Sequence, residues 1–229
     1  TYLKTDAPIA GAEIRGYDIT WFAEGEPIWY FNGYKTNGID SESGLPNIVD
    51  TDGSGDITPA DMTNIGDPHP DLLYGANLSA EYKGVDLRVF IQGTRGNDIY
   101  TGWFRPDRAT SNKPTYFYED RWTPSNTDAS APRAEPSDQY VYRSDFMVQD
   151  GSYTRIKQIQ LGYNLPGNLI QPIGMSKARI YLSLDDYFTF TDYEGLDPEA
   201  GSNNNQSQGV DRGVYPIPRK MIFGLSVNF

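Results

Sequence analysis

The chain's last stretch, Arg219 to Phe229, reads R-K-M-I-F-G-L-S-V-N-F. Met221, Phe223, Leu225, Val227 and Phe229 alternate with Ile222, Gly224, Ser226 and Asn228. Only an extended strand turns such a period of two into one apolar face and one small or polar face. The pattern recurs. Leu72 to Tyr82 puts Leu72, Tyr74, Ala76, Leu78, Ala80 and Tyr82 on one side and Leu73, Gly75, Asn77, Ser79 and Glu81 on the other. Lys83-Gly84 is a tight reversal, and Val85 to Gly93 pairs back. Tyr153 to Tyr163 and Lys177 to Phe188 repeat the alternation, and Ala12 to Phe22 and Ile28 to Tyr34 are read as two further strands. Seven strands are therefore expected, and an all-β fold.

The connections between them alternate short and long. The long ones run over 35–71, 94–151 and 192–218. An ordinary sandwich has no reason to alternate in this way. A transmembrane barrel does: its turns are short on the periplasmic side, where the last strand ends, and its loops are long outside. The fold expected is the C-terminal part of a large transmembrane antiparallel β-barrel, with the three long segments extracellular. Asp86 and Arg88 on one face of a strand are tolerated only toward a watery lumen. Leu72, Tyr74, Leu78, Leu87, Val89, Ile91, Leu161, Leu182, Leu225 and Val227 should face lipid, and Asn77, Glu81, Arg88, Gln160, Ser183 and Ser226 the lumen. Arginine at Leu225 should cost about 2–4 kcal/mol if that position is near the midplane. Seven strands do not close a membrane barrel, and open edges do not survive in lipid. The missing strands are expected from an N-terminal part of the same transporter or from other chains.

Composition removes competing classes. The 229 residues, enough for one or two domains, hold no run of eighteen apolar residues that would make a transmembrane helix. A formal charge of −12 argues against nucleic-acid binding, which needs Lys and Arg at phosphates. There is no cysteine, hence no disulfide, thiol catalysis or Cys-zinc site. The 17 tyrosines suit the aromatic girdles of a barrel. Thr1 follows neither an initiator Met nor a signal peptide, so the chain reads as a mature product or the C-terminal piece of a longer one.

Four further stretches carry a family resemblance: I-G-D-P-H-P-D-L-L-Y-G-A-N-L-S-A-E-Y-K-G-V-D-L (Ile65 to Leu87), F-I-Q-G-T-R-G-N-D-I-Y (Phe90 to Tyr100), Q-D-G-S-Y-T-R-I-K-Q-I-Q-L-G-Y-N-L-P (Gln149 to Pro166) and F-T-F-T-D-Y-E-G-L-D-P-E (Phe188 to Glu199). In order and spacing the chain resembles the C-terminal portion of SusC/RagA-type TonB-linked outer-membrane transporters, from about Gly25 onward. The resemblance implies a barrel of 22 strands with an N-terminal plug, a segment contacting TonB, a SusD-like lipoprotein lid, and import of oligosaccharides or peptides. Asp186-Tyr187 stands where the family commonly has Asn-Leu, and Gln149 where it commonly has Glu.

The loops hold the candidate sites. D-T-D-G-S-G-D-I-T-P-A-D, Asp50 to Asp61, matches an EF-hand calcium loop position by position. Asp50, Asp52 and Ser54 stand at places 1, 3 and 5, Gly55 at the sharp turn, Asp56 at 7 as a carbonyl ligand, Thr58 at 9 and Asp61 at 12. A hard cation needs six or more converging oxygens, and alternate residues of a tight loop supply them. Asp61 is shorter than the usual Glu, Pro59 is unusual, and no flanking helix pair is evident. The opposing reading is an acidic Gly-rich turn without metal. In the loop of residues 94–151, Trp103, Phe104, Tyr116, Tyr118 and Trp122 could stack on sugar rings or pack within the loop. His69, the single histidine, lies between two prolines and reads as a turn residue. The pairs Asp185/Asp186 and Glu119/Asp120 have the composition of glycosidase carboxylates but are what any acidic chain contains. No nucleophile elbow or phosphate-cradling loop is present, so no enzyme is expected. The alternative to a transporter is a soluble secreted β-rich carbohydrate-binding module with a calcium loop.

Overall fold

Five long strands form one antiparallel sheet in chain order: β1 (Leu72–Tyr82), β2 (Val85–Arg95), β3 (Tyr153–Asn164), β4 (Lys177–Thr191) and β5 (Lys220–Asn228). The computed structural model describes residues 7–135, 140–199 and 204–229. These strands belong to a unit of Asp71–Arg95, Ser152–Asp192 and Pro216–Phe229; a second unit comprises Thr1–Pro70, Gly96–Gly151 and Tyr193–Tyr215. Among the described residues no helix is long and apolar enough to cross a membrane.

Register sorts the sheet's side chains into two faces, because directly opposed residues point the same way. One row across the sheet is Tyr82, Val85, Tyr163, Ile180 and Leu225; a second is Leu78, Val89, Ile159, Leu184 and Met221; a third is Tyr74, Gly93, Thr154 and Phe190. All ten residues expected toward lipid share this apolar face, and all six expected toward the lumen share the other. Leu78, Leu87, Leu161, Leu182, Phe223 and Leu225 are exposed. A sheet in water would cover such a face.

From Ile180 to Phe190 the apolar face runs ten residues, roughly 33 Å at about 3.3 Å per residue. Tilted by about 40°, that becomes about 25 Å, the height of a barrel's apolar band. Tyr82 and Tyr163 mark one rim and Tyr74 and Phe190 the other. Val89 and Leu184 lie about halfway between those two rows, and Leu225 lies in the first of them.

The lumen face uses glycines as floor for large side chains. The Tyr181 ring lies over Gly224, where a Cβ would collide with it. Lys157 interrupts the β3–β4 register between Ile156 and Gln158 and pairs with Asp186 at 3.2 Å. Asp186 sits at φ 54, a left-handed conformation that Asp and Asn tolerate best. The Asn that the resemblance leads one to expect here would suit the same conformation.

The sheet holds five of the seven expected strands. Ala12 to Phe22 is broken by a turn with Arg15 at φ 54 and Gly16 at φ 87. Its first two pieces, Glu13–Ile14 and Tyr17–Asp18, pair with each other, and its last, Thr20–Phe22, joins Tyr30–Gly33 in a separate four-stranded sheet with Ile9–Ala10 and Thr63–Gly66. The physical difference is burial on both faces: the neighbours Tyr30 and Phe31 are both buried, whereas the long strands leave their apolar side open. The four connections that join the long strands still alternate short and long, and all the long ones leave from one end of the sheet.

The second unit has its own core of Ile14, Ile19, Phe31, Tyr100, Phe104, Phe117, Val141, Tyr142, Met147 and Val210. A small sheet stitches its segments: Asp98–Thr101 pairs antiparallel with Val148–Asp150 and parallel with Val210–Asp211. The long loops are thus a folded body around buried aromatics.

Candidate functional site

The acidic loop is closed by its last residue. Asp61 ends a short 3-10 helix, Pro59–Asp61, inside a capping box with Thr58. Its Oδ1 accepts from the backbone N–H of Thr51 at 2.7 Å and of Asp52 at 3.2 Å, and its Oδ2 from that of Thr58 at 2.8 Å. These N–H groups, Thr58's foremost, hold the buried Asp61 carboxyl below its ordinary range. Asp50 accepts from Gly53, Ser54 and Gly55 at 2.7, 3.2 and 2.8 Å, and Asp52 from Ser54 at 2.9 Å. Gly53 and Gly55, at φ 73 and 91, permit the tight turn.

Of the six residues expected as ligands, the fold brings three carboxylates together: oxygens of Asp50, Asp52 and Asp61 lie within 4.8 Å of one another. The other three make internal bonds. The Ser54 hydroxyl donates to the Asp56 carbonyl at 3.0 Å, and the Thr58 hydroxyl accepts from Ala60 N–H at 3.2 Å. Three convergent carboxylates at positions 1, 3 and 12 are the charged part of a calcium donor set. The segment has strand Pro46–Ile48 before it, the single 3-10 turn at its end and strand Thr63–Gly66 after it, without an EF-hand's helix pair.

The five loop aromatics divide. Phe104 is 2% exposed in the core, edge-on to Phe117, and has no free face for a sugar. Trp103 and Tyr116 pack against the same core. Burial pushes the Tyr116 hydroxyl up to about 12, helped by nearby Glu194, while it accepts from Gln149 at 3.2 Å. Trp122 lies against Gly44 and donates to the Ser41 carbonyl at 3.0 Å. Tyr118 alone of the five is widely open, 74% exposed. It lines a cleft of about 420 Å³ with Thr110, Ser111, Asn112, Lys113 and Arg121. Packing explains the division: large rings scattered through a loop serve as its core before they serve a ligand.

Two buried polar clusters escaped sequence reasoning. Arg105 grips Asp107 with two bonds, 2.8 and 2.6 Å, and Tyr142 donates to the same carboxylate. Burial works to raise the Asp107 carboxyl, but the bonds from Arg105 and Tyr142 outweigh it and hold it at about 2. Tyr193 donates to Asp211 at 2.7 Å, and Asp211 also accepts from Gly213 and Val214. Arg105 and Asp107 are adjacent enough to hint at a pair, but nothing local points to Tyr142. Both clusters brace the core.

With the geometry in hand, comparison with known proteins is informative. No family model matches the chain. It is 34% identical over 227 residues to TonB-dependent receptor P3 of Formosa agariphila, covering 90% of this chain and 22% of that protein. It is 30% identical over 202 residues to TonB-dependent receptor SusC of Bacteroides thetaiotaomicron, covering 87% of this chain and 19% of that one. Among solved structures it superposes on a chain of the RagAB peptide importer in the "closed-closed" state with TM-score 0.74 and 25% identity, covering 92% of this chain and 24% of that one. The five-stranded sheet is accordingly wall of a large transmembrane antiparallel β-barrel. Over about nine tenths of its length the chain is similar to TonB-dependent receptors of the SusC/RagA type. It spans about a fifth to a quarter of the length of these relatives. Receptors of this type are outer-membrane β-barrel proteins.

Proposed function

We propose that this chain supplies the C-terminal wall strands and outer-surface loops of an outer-membrane importer driven through TonB. The N-terminal strands and plug of the same transporter complete the barrel, and a SusD-like lipoprotein covers its mouth. One observation carries this reading: a sheet with an open apolar face, a polar opposite face and every long connection at one end. Among the described residues, β1 pairs only with β2 and β5 only with β4. Lipid does not tolerate the unpaired backbone groups of such edges, so further strands must take them up. The role is transport rather than chemistry.

The cargo is an oligosaccharide or a peptide. Tyr118, open to solvent beside Lys113 and Arg121, suits stacking against a sugar ring or an apolar side chain. The acidic loop holds calcium from the surrounding medium through Asp50, Asp52 and Asp61, with Ser54, Thr58 and the Asp56 carbonyl joining after their internal bonds open. The test is uptake of labelled oligosaccharides and peptides by cells with and without the intact receptor. Uptake should require the receptor, TonB and a proton gradient; transport that survives loss of TonB overturns the proposal. The purified transporter should also need detergent. Monodisperse behaviour in plain buffer would favour the soluble binding module instead.

A further inference from the structure

The turn between β3 and β4 carries a surface that transport does not explain. Residues 165–176, L-P-G-N-L-I-Q-P-I-G-M-S, contain no charged side chain in a chain that is 22% charged. A water-facing turn of that length in so acidic a protein would be expected to carry charge. Yet the segment is folded, with its own hydrogen bonds. Helix α1 (Gly167–Ile170) runs into a 3-10 turn, Gln171–Ile173, which Gly174 closes at φ 76. Met175 donates to the Ile170 carbonyl at 3.2 Å, and Ser176 donates to the Asn228 carbonyl at 2.8 Å, fastening the turn to the end of β5.

On this frame Leu169 and Ile173 are 59% and 63% exposed, while Ile170 between them is buried. Burial along β4 tells which side of the sheet the turn covers. Ala178, Ile180 and Leu182 share the apolar face, and Ile180 and Leu182 are 37% and 42% exposed, but Ala178 beside the turn is 4% exposed. Helix α1 packs against β4. The turn thus folds back over the apolar side. Phe229, 87% exposed, follows Asn228 at the same end, and Tyr82 and Tyr163 form the rim just above.

We propose that this turn is an interfacial foot: Leu169, Ile173 and Phe229 rest in the headgroup–acyl boundary of the periplasmic leaflet, and the partner is lipid. The inference builds on the reading of the chain as membrane wall, and its warrant is continuity. The apolar face of the sheet runs without a charged break into an uncharged, folded, outward-pointing apolar turn. Amphipathic elements with this character lie in the interface plane, and aromatic residues at the rim hold the same level. The foot would fix how deep β3 to β5 sit.

The chain contains no cysteine, so single nitroxide labels are unique within it. The whole transporter is reconstituted in bilayers with a label at Leu169→Cys or Ile173→Cys. Leu182→Cys serves as wall control and Asp56→Cys as water control. Collisions with oxygen, which concentrates in lipid, are compared with those of a water-soluble nickel chelate. At both foot positions the oxygen-to-nickel ratio should be several-fold above that of Asp56→Cys and below that of Leu182→Cys. A foot label as open to nickel as Asp56→Cys, with Leu182→Cys protected, overturns the foot and leaves the wall standing. A foot label shielded from both reagents means protein covers it and also overturns the proposal. If Leu182→Cys is itself open to nickel, the wall reading fails and the foot with it.

Discussion

Arg179 reaches across Gly162 to clasp Asp86, Nε to Oδ2 at 2.8 Å and Nη2 to Oδ1 at 2.5 Å. The pair joins β4 to β2 over the intervening β3, and it fits only because β3 has no side chain there. A Cβ on Gly162 would lie 2.5 Å from Asp86 Oδ2 and closer still to Arg179. Arg179 also meets Gln160 at 3.1 Å. Asp86→Ala should destabilise the barrel by about 1.5–3 kcal/mol, the range for a hydrogen bond to a charged group, and Gly162→Val should do comparable harm without touching either charge. The check is the temperature at which the folded barrel loses its fast migration in detergent gels. An unaltered Gly162→Val barrel would mean the clasp contributes nothing.

Depth in the membrane should govern the cost of a charge on the apolar face. Val89 lies halfway between the two rims and Leu225 lies on one of them. Val89→Arg should cost about 2–4 kcal/mol and Leu225→Arg about 0–1 kcal/mol. Equal costs, measured by denaturant unfolding into lipid vesicles, would contradict the register of the band.

Gln149 donates to Glu194 at 3.4 Å and accepts from the Glu194 backbone at 3.2 Å. A glutamate here would set a second carboxylate against Glu194. Gln149→Glu should lower stability by about 0.5–1 kcal/mol, an effect that salt screens. Thermal melts at two salt concentrations decide it; a deficit indifferent to salt would point to packing.

Asp107 makes its own unit acid-sensitive. Its carboxyl is held at about 2 in the fold against about 3.9 in an unfolded chain. A depressed pKa stabilises above the unfolded value, and that contribution fades as pH falls through the folded one. Asp107 should therefore add about 2 kcal/mol above roughly pH 4, lost progressively toward pH 2. Asp107→Asn should be less stable at neutral pH and show a shallower acid transition. Parallel acid transitions in the two proteins would remove Asp107 from the account.

Calcium should order the Asp50–Asp61 loop. Like charges at this spacing repel without a counter-ion, and a site of the extracellular class, with Kd of about 10⁻⁴–10⁻³ M, would relieve them. Proteolysis of the loop in intact transporter should be slower with millimolar calcium than with chelator. Replacing both Asp50→Ala and Asp52→Ala should erase the difference. Identical cleavage of the wild-type loop under both conditions would leave only an acidic turn.

The faces of the wall were legible in the sequence because a strand's side chains alternate strictly. Leu87 and Arg88 cannot exchange sides without a slip of register, so their pattern fixes both strand and orientation. The acidic loop was legible for a similar reason, since its spacing is local. What only tertiary structure decided lies where distant segments meet. Tyr30 and Phe31 look like wall aromatics in sequence, yet both are buried in a two-sided core. Phe104 and Tyr118 are the same kind of residue in the same loop, and packing alone made one core and left the other open. Tyr142 finds Asp107 across a sequence separation of 35. Periodicity records which face a side chain takes; it carries no information on what that face will meet, because that contact is made by parts of the chain whose separation in sequence is arbitrary.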